Sequence, residues 1–142
     1  MKTTSYEISK KLKEAGFEDS YIYAWYSDSE GLPWIQEIQH AKPTAVNKYR
    51  EEVKLTFVAP AYDLETILDA LPARIEKNEK MYDLLLRHNI LGYYATSLKL
   101  DYDNIQLDDY IFELYDHDKS LADTAGRLLI ELFEAGIINF KK

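Results

Sequence analysis

The residues from Ser120 to Ile138, SLADTAGRLLIELFEAGII, constrain the fold more than any other stretch of the chain. Leu121, Ala125, Leu128, Leu129, Leu132 and Phe133 recur at the i, i+3, i+4 spacing that lays one apolar stripe along a helix. Ser120 is suited to accept from the amide three residues on, and Asp123 to reach back as the acid of a capping box. Gly136 supplies the left-handed residue that ends such a helix, which places Ile137 to fold onto Leu132. A stripe of this kind must be covered, so the rest of the chain has to provide an apolar surface for it.

At the other end, Thr4-Ser5-Tyr6-Glu7 has the form of a capping box, and Ile8, Leu12 and Ala15 give a helical stripe ended by Gly16 with Phe17 beyond it. SYIYAWY, rich in β-formers, follows, with Tyr21, Tyr23 and Trp25 alternating against Ile22, Ala24 and Tyr26. Trp34, Ile35 and Ile38 suggest a second strand, and the polar stretch from His40 to Glu52 reads as a loop. Val53 to Val58 alternates as a half-buried strand that Pro60 should end. Asp63 should cap a short helix, LETILDAL, stopped by Pro72, with Tyr62 stapled onto Ile67.

After a turn expected near Asn78 come MYDLLLRH, ILGYYATSLK and DYIFELY, three apolar runs with short connections. Leu84, Leu85 and Leu86 in a row suit a helix as well as a strand. Strand is preferred because DYIFELY needs a partner. The expected architecture is α+β: an antiparallel meander with N-terminal, short central and C-terminal helices on one face, in a single domain spanning residues 1–142.

The formal net charge is -8, and seven carboxylates lie between residues 101 and 118: Asp101, Asp103, Asp108, Asp109, Glu113, Asp116 and Asp118, with no Lys or Arg among them. Such a balance argues against nucleic acid, whose backbone needs clustered cations. No apolar run approaches the roughly 20 residues of a membrane span, and the N-terminus lacks the apolar core of a signal peptide. The absence of cysteine removes thiolate chemistry and disulfides. A cytoplasmic protein, monomeric or homodimeric and without membrane contact, is expected.

Chemical motifs are sparse. His40, His88 and His117 are far apart and show no metal-ligand spacing, and no glycine-rich phosphate loop or GxSxG element is present. Glu52-Val53-Lys54 has the ExK form of some metal-dependent nucleases, but the chain lacks a basic groove to go with it. Asp101, Asp103, Asn104, Asp108 and Asp109 are oxygen donors, yet an isoleucine stands fifth in DYDNIQLDD and no glycine sixth, so it is no EF-hand loop. A solvated acidic loop explains it more simply. No metal and no cofactor are expected, and no catalytic residue can be assigned.

PAYDLETILDALP and SLADTAGRLLIELFEAGII resemble segments of small phage and prophage proteins of unknown function, and SYEISKKLKEAGF is similar to their opening. The resemblance implies a mobile-element origin and a helix–meander–helix arrangement. It brings no catalytic or binding residues with it.

Two surfaces are therefore candidates for contact. One is the acidic segment. The other is a set of large amphipathic rings, Tyr21, Tyr23, Trp25 and Trp34, which serve equally well as core. The leading expectation is a non-enzymatic accessory factor that binds a protein partner, in its sharper form an acidic decoy for a basic one. The alternative is a small-molecule binder or an enzyme whose pocket no sequence motif announces.

Overall fold

The computed structural model describes residues 3–77, 80–89, 92–99, 110–116 and 120–140, with side chains described for 3–74 and 120–140. The elements run α1 (Tyr6–Ala15), β1 (Tyr23–Ser27), β2 (Pro33–Glu37), a turn of 3-10 helix (Ile38–His40), β3 (Thr44–Val46), β4 (Glu52–Lys54), β5 (Thr56–Ala61), α2 (Leu64–Ala70), β6 (Arg74–Lys77), β7 (Lys80–Asn89), β8 (Gly92–Lys99), β9 (Tyr110–Asp116) and α3 (Leu121–Glu134). The α+β class and the antiparallel meander are as expected, the latter with strand order β6-β7-β8-β9. MYDLLLRH lies within β7 and is a strand. Arg74–Lys77, which the sequence left without an element, forms β6 and pairs with β7 from Arg74↔Asp83 to Lys77↔Lys80. The expected turn at Asn78 falls outside the described residues.

The helices end as their sequences require. Ser5 and Ser120 each accept from the amide three residues on, and Asp63 does the same for α2. Gly16 and Gly136 adopt φ 93° and 75°. Beyond them Phe17 donates to the Leu12 carbonyl and Ile137 to that of Leu132, the six-to-one bond of a Schellman ending. One acid and one hydroxyl residue act differently from the local expectation. The Asp123 carboxylate accepts from the Ser5 amide, tying the start of α3 to the start of α1. Thr4 is no cap. Fully buried, it exchanges bonds with Tyr62, meets the Ser9 hydroxyl at 2.7 Å and accepts the Trp25 indole N–H at its carbonyl. In this way a buried polar residue is satisfied from every side.

The core joins Ile8, Leu12 and Phe17 to Tyr62, Ile67 and Leu71 and to the stripe Ala125, Leu128, Leu129, Leu132. α1 lies against β5, α3 against β8 and β9, and the two helices against each other, so they link the β1–β2–β5 sheet to the meander. At Gly126 they pack so tightly that a Cβ would stand 2.8 Å from Ile8 Cγ2.

The middle of the chain departs most from expectation. His40–Glu52 is no loop: β3 and β4 form a hairpin, paired from Thr44↔Lys54 to Val46↔Glu52. Val53–Val58 is not one strand either, since β4 and β5 belong to different sheets. β5 continues through Pro60 to Ala61, which an edge strand tolerates because a missing N–H there breaks no ladder. Opposite β1 the register slips, with Ala59 facing Trp25 and Phe57 facing Tyr26. The extra residue, Val58, is a β-bulge that shifts Phe57 out of the buried phase to 41% exposure. Lys13 caps the bulge by donating to the Val58 carbonyl.

Candidate functional site

One turn geometry occurs twice. In the β1–β2 connection the Asp28 Oδ1 accepts from the amides of Glu30 and Leu32, Gly31 donates to the Asp28 carbonyl, and Asp28 donates to that of Leu32. In the β3–β4 connection Asn47 Oδ1 accepts from Tyr49 and Glu51, Arg50 donates to the Asn47 carbonyl, and Asn47 donates to that of Glu51. Asp and Asn suit this first position because a short side-chain oxygen reaches the amides two and four residues on. The fourth residue is left-handed in both: Gly31 at φ 83°, Arg50 at φ 63°.

The two turns face each other across a cleft of about 380 Å³ lined by Asp28, Glu30, Leu32, Trp34, Asn47, Lys48 and Tyr49. Leu32 is 55% and Tyr49 67% exposed, while Trp34 is half-buried. The Lys48 amine lies 5.1 Å from the centre of the Tyr49 ring. The Asp28 side chain is buried and only accepts; its Oδ2 takes the Trp34 indole N–H at 3.1 Å. That indole bond, with the amides of Leu32, Glu30 and Gly31, holds the Asp28 carboxyl below the usual carboxylate range against the opposing effect of burial. The frame is rigid and polar beneath, apolar and open above. Such a surface can receive an apolar side chain without first rearranging.

The aromatic residues singled out in the sequence are distributed differently from one another. Trp25 bonds Thr4 and meets Tyr6 edge-on at 5.9 Å, so it joins the sheet to α1. Tyr23 shares its face of β1 by alternation. Tyr21 meets the buried Tyr62 edge-on. Trp34 pairs with Tyr26 in the ladder and thus lies on the opposite face from Tyr23 and Trp25. Of the four, Trp34 alone lines the cleft. Glu113 and Asp116 stand in β9 opposite Thr96 and Tyr93. Asp101, Asp103, Asp108, Asp109 and Asp118 lie outside the described residues.

Glu52 and Lys54 of the ExK tripeptide are exposed on either side of buried Val53, and their ladder partners are Val46 and Thr44. Among the described residues no three His, Cys, Asp or Glu side chains gather into a metal-binding group, and no helix is long and apolar enough to cross a membrane. The cleft residues Asp28, Leu32, Asn47 and Tyr49 were not singled out by sequence. The signal was the parallel of DSEGL and NKYRE, hidden by arginine where the first turn has glycine. No family model, no curated protein and no solved structure matches the chain.

Proposed function

We propose that the protein is an interaction module that contacts a protein partner through the twin-turn face, as a non-enzymatic accessory factor of phage or prophage type. The observation that carries the reading is the cleft itself. Leu32, Trp34 and Tyr49 converge on a space of about 380 Å³, with room for a large side chain, and their backbone is fixed by bonds that need no partner. Preformed pockets lined by Tyr and Trp are where interface energy concentrates. An enzymatic use of the same cleft would call on its buried carboxylate to exchange a proton. Asp28 holds its charge in three hydrogen bonds and is driven away from the neutral range.

A second reading rests on the seven carboxylates between residues 101 and 118, which would present an acidic decoy to a basic partner. One experiment separates the two: affinity capture from lysate with the unaltered protein, a Leu32→Ser/Tyr49→Ser variant, and a variant with Asn at Asp101, Asp103, Asp108 and Asp109. Loss of the bound protein with the Leu32/Tyr49 variant, at unchanged melting temperature, is expected. Retention there, with loss in the four-Asn variant at low salt, would move the contact to the acidic segment.

A further inference from the structure

The two walls of the cleft differ in charge. From Glu14 to Ala41 the chain has six carboxylates and no Lys or Arg, and two of the six, Asp28 and Glu30, line the cleft. Opposite them Lys48 is the one cation of the lining, and the neighbouring Arg50 is followed at once by Glu51 and Glu52. Asp28 is only 8% exposed, so little water screens its charge. Its Oδ2 accepts the Trp34 indole N–H, and a carboxylate oxygen has a second lone pair to offer. Glu30 is exposed. Leu32, Trp34 and Tyr49 supply the apolar remainder, and the faces of the two rings attract cations. The Lys48 amine, 5.1 Å from the centre of the Tyr49 ring, already rests a cation there. Apolar walls beside carboxylates suit a long cationic side chain, whose methylenes lie against the walls while its charged head meets the acids.

We propose that the cleft takes an arginine of the partner, presented on a basic peptide segment: its methylene stem lies along Leu32, and its guanidinium lies against Trp34 and Tyr49 with Asp28 and Glu30 as counter-charges. This deepens the interaction reading and rests on it. Arginine is favoured over lysine because its guanidinium is planar, stacks on aromatic faces and gives up water more readily. An acidic segment would meet the two carboxylates, and a polynucleotide would meet the net charge of -8 as well. That same net charge draws a basic segment toward the molecule.

The test is an NMR titration of the full chain, read at the Trp34 indole and the Tyr49 amide. Three capped octapeptides are used, alike except for a central pair of residues: arginine, glutamate, or methionine, which keeps a long unbranched stem without the charge. The arginine peptide is expected to move these signals saturably, the methionine peptide to bind about tenfold more weakly, and the glutamate peptide to leave them unmoved. Glu30→Gln, at an exposed position, should weaken the arginine peptide about twofold to fivefold. Lys48→Gln should strengthen it by a similar factor, because the cation competing for the Tyr49 ring is gone. Binding of the methionine or glutamate peptide as tight as that of the arginine peptide would overturn the proposal, as would unchanged arginine affinity in either variant. Unmoved signals with all three peptides at millimolar concentration would overturn it too. The docking face is judged separately, by the capture experiment: a methionine peptide that binds as tightly as arginine removes the cationic occupant and leaves that face standing.

Discussion

Asp28 and Asn47 occupy the same place in two matching turns, yet only Asp28 carries a second duty. Asn47 shows that an amide oxygen suffices for the two backbone bonds. In Asp28→Asn the side-chain nitrogen would instead meet the Trp34 indole N–H, donor against donor. A lower melting temperature is expected, with a change of pH dependence. Because folding lowers the Asp28 pKa, its contribution is present above the ordinary carboxylate range and is lost as pH falls through the lowered value. The variant should therefore lose less stability than the parent on acidification, which thermal melts from about pH 5 downwards would read. Tyr62 behaves in the opposite sense. Burial, aided by the charges of Asp19 and Glu18, pushes its phenol from 10.0 up to about 12. Its stabilisation is complete below the ordinary value and disappears as pH rises toward about 12. Tyr62→Phe should flatten the alkaline limb of the melting curve; an unchanged limb would show that Tyr62 is not the group responsible.

Between elements, the α1–α3 crossing sets the geometry of the core. Alanine favours a helix over glycine by about 0.5–1 kcal/mol, so propensity alone would make Gly126→Ala stabilising. The Cβ, however, would meet Ile8 at 2.8 Å. Overpacking of this kind costs about 1–3 kcal/mol, and a lower denaturant midpoint is expected. Leu128 is fully buried in the same layer, so Leu128→Ala should cost about 2–5 kcal/mol by urea denaturation. These helices were legible because caps, stripes and terminal glycines all act within a few residues of sequence. The β3–β4 hairpin was not. β3 is three residues long, follows Pro43, and turns at Arg50 where glycine would have announced a hairpin. β5 was misread because the bulge at Val58 changes the alternation, and because an edge position tolerates Pro60. The site was illegible for the same reason. It is made by two turns whose similarity is one of hydrogen bonding rather than of residue identity.

At the scale of the whole molecule, the acidic excess and the aromatic content were plain from the sequence, but not which rings face outward. Trp25 is engaged with Thr4 and Tyr6, whereas Trp34 and Tyr49 line the cleft. Charge is also unevenly divided, with seven carboxylates between residues 101 and 118 and four cations between 40 and 54. An interaction through the hairpin tip should weaken with ionic strength, as the screening length shrinks toward about 8 Å at physiological salt. The most direct test of the docking face is site-specific photo-crosslinking in lysate, with a benzophenone side chain placed singly at Tyr49, at Glu14 on the exposed side of α1, and at Asp103. The account expects one discrete crosslinked partner from position 49 and none from position 14. A partner captured from position 14 or 103 and not from 49 would contradict it.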